Sequence, residues 1–268
     1  MYKKNHLNRI LLLIRCFIAE CFHCNELDRL SKFPRYTPTT TSLLGKKINL
    51  IDSASFLSMY GEILKKEIYR FNSSVEDPYI LDCGANIGLS IIYFKSIFPR
   101  AKIVGFEPDP MVFETLEHNI KMFDYSNVTL ISKAVWNGEE TLNFFSEGAD
   151  GGRIIHSEKT VEGMSIETVR LKDYLNQYVN LLKIDIEGAE TTVLNDCRDA
   201  LENVQNIFIE YHSFQYKKQT LQEILEILTT AQFRYYIDNV GIISKQPFSK
   251  INTNAEMDLQ VNIYGYRV

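Results

Sequence analysis

The sequence predicts an α/β fold in which a doubly wound, mostly parallel sheet carries helices on both faces. Short apolar strands alternate with helix-length segments from residue 79 onward, which is the pattern of βαβ units. A glycine-containing turn follows the first of these strands, where open α/β sheets bind their ligands. The last strands follow one another without a clear helical pattern between them, which allows an antiparallel strand at the end.

The composition indicates a folded chain and disfavours one broad class of partners. The chain has 268 residues, of which 45% are hydrophobic, and 29 Lys+Arg against 34 Asp+Glu give a net charge of −5. This apolar content can bury a core, and the excess of acidic residues argues against a generally basic nucleic-acid binder. The five cysteines are an odd number in a long chain. They predict unpaired thiols and a cytoplasmic location.

The N-terminal part, residues 1–75, is predicted to be a helical extension and linker that precedes the main domain over residues 76–268. Apolar residues recur at helical spacing near the start of the chain: Leu7, Ile10, Leu11, Ile14 and Ile18. Arg15 interrupts the apolar run, so we expect no transmembrane span. The apolar stripe favours packing on the main domain or on a partner chain, although flanking basic residues leave peripheral membrane contact open. A second helix is predicted over 56–71.

The strands and helices of the main domain are predicted from short apolar runs and from the turn residues between them. The predicted strands are Tyr79–Cys83, Lys102–Phe106, Val128–Ser132 with Ala134–Val135, Thr141–Phe145, Glu167–Arg170, Leu181–Ile186, Asn206–Tyr211, Phe233–Ile237, Val240–Ile243 and Leu259–Tyr266. The predicted helices follow Gly88, span Pro110–Met122, begin near Gly188 and cover about Thr220–Ala231.

The turn from Asp82 to Gly88 is the first motif that indicates ligand chemistry. It follows a predicted strand and opens a predicted helix, and glycines permit tight turns and close approach of a ligand. The helix amides after Gly88 favour a carboxylate or phosphate. Glu107 ends the next strand, where its carboxylate can accept hydrogen bonds from both hydroxyls of a ribose.

Two ligands use such an arrangement, a dinucleotide and S-adenosylmethionine. The dinucleotide fingerprint is G-x-G-x-x-G, whereas this turn has only Gly84 and Gly88, with Asp82 at its entrance. The carboxylate of Asp82 would repel a pyrophosphate but suits the ammonium or sulfonium of S-adenosylmethionine, directly or through water. We therefore expect S-adenosylmethionine and keep an NAD-dependent oxidoreductase as the alternative.

A second motif places charged residues along a predicted central strand. If the strand persists, Lys183, Asp185 and Glu187 share one face. Charges in that position must pair with one another, meet water or meet a ligand. A Lys183–Asp185 ion pair and a Glu190 that only stabilises a helix N-terminus remain open as purely structural interpretations.

These two motifs resemble those of the FkbM-type family of S-adenosylmethionine-dependent methyltransferases. The resemblance rests on Asp82–Gly88, Gly105–Asp109 and Lys183–Glu190, and it covers roughly residues 79–212. It implies a class I methyltransferase (Rossmann-like) fold, whose seven-stranded sheet has an antiparallel last strand. It also implies O-methylation of a sugar, glycan or natural-product hydroxyl. The net charge of −5 and the absence of an Asn-Pro-Pro-Tyr-like motif disfavour nucleic acid as the partner. A module that binds the cofactor without turnover stays an alternative.

Candidate catalytic residues lie at the carboxyl ends of two strands. His212 is the leading general base, because its ordinary pKa lies near neutrality. Asp185 and Glu187 are alternatives; they could instead orient sugar hydroxyls or hold a divalent cation, although no metal is expected. His156 is a weaker candidate beside Gly148–Gly152, a loop that could form a lid.

The expected cofactor contacts combine both motifs with one position after the third strand. They are Asp82, Gly84, Asn86, Gly88, Glu107, Ala134 and Asp185. Ala134 is included because class I methyltransferases usually contact the adenine base there, often through the main chain.

Overall fold

The computed structural model describes residues 23–148, 151–154 and 163–268. The predicted N-terminal amphipathic helix and His156 lie outside these ranges. Residues 23–31 are helical and precede a small antiparallel pair, β1 (Thr39–Thr41) and β2 (Ile48–Leu50). The division into an extension and a main domain stays a prediction.

The helix predicted over 56–71 ends earlier in the structure, at Lys65, and changes from α-helical to π-helical geometry at Tyr60. Helix α1 (Ser53–Met59) begins after Asp52, whose carboxylate accepts a hydrogen bond from the backbone N–H of Ser55 at 2.9 Å. Acceptance of this kind by an N-cap residue stabilises a helix start. From Tyr60 to Lys65 the chain is π-helical, a geometry that is frequent near functional sites.

The remaining strands and helices agree closely with the predicted pattern. The strands are, in chain order, β3 (Tyr79–Cys83), β4 (Lys102–Phe106), β5 (Val128–Ile131), β6 (Ala134–Trp136), β7 (Thr141–Phe145), β8 (Arg153–Ile154), β9 (Met164–Arg170), β10 (Val179–Ile184), β11 (Val204–Phe214), β12 (Arg234–Asn239) and β13 (Met257–Tyr266). The helices are α2 (Leu89–Ile97), α3 (Pro110–Phe123), α4 (Glu190–Cys197) and α5 (Leu221–Thr230).

The main sheet has seven strands in the order β12-β13-β11-β10-β3-β4-β5. Strands β5, β4, β3, β10 and β11 run parallel, whereas β13 is antiparallel to both β11 and β12. The predicted doubly wound sheet with an antiparallel last strand is therefore confirmed. The parallel strands end at one edge, so the loops after β3, β4, β10 and β11 meet there.

Three predicted strands differ from the structure. Strand β10 ends at Ile184, before the predicted Ile186, because the chain turns there and Glu187 adopts a left-handed conformation with φ 55°. Residues 240–243 form no strand. The stretch Ala134–Trp136 leaves the main sheet and joins a four-stranded sheet in the order β6-β9-β7-β8.

The core lies on both faces of the main sheet, as expected when helices cover a parallel sheet. All six residues of β10 are buried. One face packs against α4 and α5, while α2, α3 and the segment 48–69 cover the other. This packing fixes the strand ends that carry the charged residues.

No helix in the described part of the chain is both long and apolar enough to cross a bilayer. Peripheral membrane contact and a cytoplasmic location stay predictions.

Candidate functional site

The loop after β3 is tied to β4 and lies directly against the loop after β10. The backbone N–H groups of Gly84 and Ala85 both donate to the carbonyl of Phe106, at 3.0 and 2.9 Å. Gly84 has φ +86°, and a Cβ there would lie 1.9 Å from the carbonyl oxygen of Asp185. Only glycine permits this approach, which explains the first glycine of the motif.

Glu107 connects this loop to the loop after β4. Its two carboxylate oxygens accept hydrogen bonds from the backbone N–H groups of Asn86 and Asp109, each at 3.0 Å. Burial raises the pKa of Glu107 to about 7, against the opposing effect of these two hydrogen bonds. The carboxylate is therefore held in one orientation at the cavity wall.

Lys183 lies at the centre of the site and is 2% exposed. Its Nζ donates to the carbonyl of Gly84 at 2.8 Å and lies 3.2 Å from Asp82 Oδ1 and 3.5 Å from Asp185 Oδ2. Burial disfavours the charged amine, but the carboxylates of Asp82 and Asp185 outweigh it and hold the pKa of Lys183 well above its ordinary value. The amine is a buried cation that joins two loops.

The structure places two predicted cofactor contacts outside the cavity wall. Asp82 is fully buried, pairs with Lys183 and accepts a hydrogen bond from the Ser90 hydroxyl. Its negative charge is thus matched inside the protein and does not face a ligand directly. Gly88 begins α2 with φ +94°, and a Cβ there would lie 2.9 Å from Leu116 Cδ1. Gly88 therefore serves packing between α2 and α3.

The other predicted residues come together around one cavity of about 460 Å³ at the carboxyl edge of the sheet. Those that line it are Gly84, Asn86, Glu107, Ala134, Asp185 and Glu187. Both motifs therefore meet in a single cavity.

His212 lies beside this cavity among carboxylates, and is 4% exposed. Its Nδ1 is 3.0 Å from Glu190 Oε1, and its Nε2 is 3.7 Å from Glu187 Oε1 and 3.6 Å from Glu210 Oε1. Burial disfavours the imidazolium, but the three carboxylates outweigh it and raise the pKa of His212 well above 6.5. The ordinary pKa near neutrality, which made His212 the leading base candidate, does not apply in this environment. The ring lines a smaller neighbouring groove of about 230 Å³.

The two carboxyl groups after β10, those of Asp185 and Glu187, lie in the cavity wall and have raised pKa values. Burial and then the neighbouring Glu210 raise the pKa of Asp185 to about 6, with Lys183 opposing. Burial also raises the pKa of Glu187 to about 8, although His212 opposes this shift. At neutral pH Asp185 is mostly ionised, whereas Glu187 mostly holds a proton.

The same groups have the geometry to hold a metal ion. One ligand atom each from Asp185, Glu187 and His212 lies within 4.8 Å of the others. The contact of His212 Nδ1 with Glu190 is the kind of support that ligating histidines have. A protonated His212 supplies positive charge at the same place. The arrangement therefore permits either a bound metal ion or a protonated His212 without metal.

The N-terminal segment contributes cavity residues that the sequence analysis did not single out. Glu62 and Tyr69 both line the cavity. The Tyr69 ring packs edge-on against Phe208 with ring centroids 4.8 Å apart, and Lys183 Nζ lies 5.6 Å from the Tyr69 centroid. The apolar spacing over 56–71 predicted a helix but contains no chemical motif. The contacts of Tyr69 with Phe208 and Lys183 join segments remote in sequence, so the sequence did not indicate them.

Replacement of Lys183 by methionine should destabilise the fold, because Asp82 would keep a buried charge without its partner. Loss of one partner of a buried ion pair costs about 3–5 kcal/mol. Urea unfolding of K183M should show this loss, and the added substitution D82N should restore part of it. A K183M variant as stable as the wild type would contradict the assigned ion pair.

Comparison with known proteins shows the family. The family described as the methyltransferase FkbM domain matches residues 82–235, more than half of the chain. "Methyltransferase sdnD" of Sordaria araneosa is 28% identical over 57% of this chain and 73% of its own length. "2-O-methyltransferase NoeI" of Sinorhizobium fredii is 27% identical over 57% of this chain and 71% of its own length.

A solved structure shows the same fold. The crystal structure of methyltransferase FkbM from Methylobacillus flagellatus superposes with a TM-score of 0.50 at 17% identity. The match covers 74% of this chain but only 44% of that one. The preference for S-adenosylmethionine over a dinucleotide is confirmed, because this chain belongs to the FkbM methyltransferase family and is an S-adenosylmethionine-dependent methyltransferase.

Proposed function

We propose that the chain methylates a hydroxyl oxygen of a sugar-type or natural-product acceptor, and that Asp185 receives the hydroxyl proton. The observation that carries this proposal is the Asp185–Glu187 pair in the cavity wall, with pKa values of about 6 and 8. Carboxylates with such values can take and hold protons near neutral pH. The relative NoeI is named a 2-O-methyltransferase, which supports oxygen as the methylated atom.

The cavity residues fit the cofactor that the family uses. Glu107 offers acceptor oxygens for ribose hydroxyls, and Ala134 lies on the wall where the adenine base would be held. The carboxylate of Asp185 faces the cavity and suits a cationic ligand. S-adenosylmethionine, when bound, supplies a methyl carbon on a positively charged sulfur.

The reaction balances with one proton acceptor. The acceptor oxygen forms a bond to the methyl carbon, the bond from that carbon to sulfur breaks, and the hydroxyl proton leaves. A hydroxyl is a weak nucleophile until its proton begins to move to a base. We assign this base to Asp185, which is mostly ionised at neutral pH. Glu187 still holds its proton there and can donate a hydrogen bond to the acceptor.

His212 has a different part in this proposal. An imidazolium has no lone pair to receive a proton, and the carboxylates around His212 keep it protonated. The ring therefore acts as a positioning residue that balances the charges of Glu190 and Glu210, beside the protonated Glu187. This replaces the expectation that His212 is the base.

The cavity also has polar side chains that support a hydroxyl-rich acceptor. Glu62, Glu210 and Gln260 line it with hydrogen-bonding side chains, and Gln260 donates to Glu210 at 2.5 Å. Such acceptor oxygens suit the several hydroxyls of a sugar. They also disfavour a polyanion, so we retain a small molecule or glycan and not nucleic acid as the acceptor.

Replacement of Glu107 by glutamine should weaken cofactor binding by roughly 10- to 100-fold, the range for a lost hydrogen bond to a charged group. Calorimetric titration with S-adenosylmethionine measures this change. E117Q, on the exposed side of α3, is the matched control and should bind normally. Equal affinity in E107Q and wild type would remove Glu107 from the cofactor site.

The pH dependence of kcat/KM should report Asp185. The base acts only when ionised, so the rate should fall as pH drops below about 6, the pKa of Asp185. D185N should lower kcat by about 10²–10⁴-fold and abolish this inflection, while exposed D173N keeps both. An unchanged acid limb in active D185N would assign the proton to another group.

Removal of divalent metals should leave methyl transfer unchanged, since the protonated His212 already supplies positive charge among the carboxylates. Activity after dialysis against EDTA, with and without added Mg²⁺ or Mn²⁺, measures this. Loss of activity that Mg²⁺ or Mn²⁺ restores would instead place a metal at Asp185, Glu187 and His212.

A further inference from the structure

The cavity wall contains one positive charge that the cofactor site does not use. Three described residues of the wall have basic side chains: Arg35, Lys183 and Arg153. Arg35 pairs with the fully buried carboxylate of Asp52 at 3.0 Å, and Lys183 pairs with Asp82 and Asp185. Arg153 therefore differs from the other two, because its charge is not taken by a buried carboxylate among the described residues.

The guanidinium of Arg153 is held by aromatic rings. It lies over the rings of Phe145 and Phe214, at 5.4 and 5.3 Å from their centroids. Its acidic neighbour is Glu256 at 3.6 Å, which is longer than a hydrogen bond, and the Glu256 side chain is 61% exposed. Exposed pairs of this kind contribute little, so the guanidinium is oriented but only weakly neutralised.

A second basic side chain adds to the positive charge at this place. Lys217 Nζ lies 5.2 Å from the centroid of the same Phe214 ring. Burial lowers the pKa of Lys217, and the charge of Arg153 lowers it further, although Glu190 opposes both. Phe214 thus carries two cations beside a cavity whose wall is otherwise rich in carboxylates.

The position of Arg153 in the fold points to the acceptor and not the cofactor. Phe214 ends β11, and Glu256 directly precedes β13. Both strands lie on one side of β10 in the sheet, whereas β3 and β4, which carry the glycine turn and Glu107, lie on the other side. Asp185 and Glu187 follow β10 between the two halves.

We propose that Arg153 binds an anionic group, a carboxylate or a phosphate, on the acceptor that receives the methyl group. The inference rests on the proposed O-methyl transfer and narrows its substrate class to acidic sugars or similar hydroxyl compounds with one anionic group. A guanidinium presents two parallel N–H donors to a carboxylate or phosphate, and the two rings hold it ready for that contact.

Binding of matched sugars to the full chain saturated with S-adenosylhomocysteine tests this inference. The probes are methyl β-D-glucuronide, D-glucose 6-phosphate and the neutral methyl β-D-glucoside, titrated calorimetrically. At least one anionic probe should bind roughly 10-fold or more tightly than the glucoside, in keeping with a charged hydrogen bond. The stronger of the two anionic probes identifies the group as carboxylate or phosphate.

Single variants distinguish a specific contact of Arg153 with the anion from the effect of the protein's overall charge. R153M should lose the preference for the anionic probe and keep its affinity for S-adenosylhomocysteine, whereas E256Q should strengthen anion binding because it removes the competing carboxylate. K218M is the control, since Lys218 is 74% exposed and pairs with Glu223; it should behave like wild type.

Three results would overturn the inference: no preference for either anion, an unchanged preference in R153M, or loss of S-adenosylhomocysteine binding in R153M. The last result would assign Arg153 to the cofactor. Anion binding that depends on Arg153, without methyl transfer to any oxygen acceptor, would contradict the proposed O-methyl transfer and leave the anion site standing.

Discussion

A buried lysine between two aspartates holds the site together. Lys183 joins the carboxylate of Asp82 on β3 to that of Asp185 after β10, and it also holds the carbonyl of Gly84. Without this cation, neighbouring strands would bury negative charge at the same edge of the sheet, at a cost that packing does not offset. The two loops are also joined by a backbone hydrogen bond from Asp185 N–H to the carbonyl of Cys83 at 3.1 Å, next to their close approach at Gly84.

The charges of the site form two groups, each with its own cation. Lys183 balances Asp82 and Asp185, while His212 balances Glu190 and Glu210 and lies beside the mostly protonated Glu187. The carboxylates exceed the cations, so burial and mutual repulsion raise the pKa values of Asp185 and Glu187. In the proposed function, this excess of negative charge lies between the residues assigned to the cofactor and those assigned to the acceptor. The same proposal places the proton acceptor Asp185 on the wall that would face the cationic methyl donor.

The sequence allowed the sheet to be predicted, because the apolar strands and helices have clear periods and the strand ends bring both motifs to one edge. It did not show that β10 stops at Ile184, since the turn depends on the left-handed backbone of Glu187. The state of His212 could not be predicted either. Its pKa depends on Glu187 and Glu190 from the segment after β10 as well as on Glu210 of its own strand, and the sequence does not report the distances to the first two. The positions of Glu62 and Tyr69 in the cavity wall could not be predicted either, because they depend on contacts with residues remote in sequence.

The cofactor affinity of the double variant K183M/D82N tests the central claim most directly. This variant removes the buried charges of Lys183 and Asp82 together, so it should fold. It lacks the Lys183 side-chain contacts that join the loops after β3 and β10. Calorimetric titration with S-adenosylmethionine should then show affinity at least about 10-fold below wild type, the scale of one lost charged hydrogen bond. Affinity equal to wild type in the folded double variant would show that Lys183 does not organise the site.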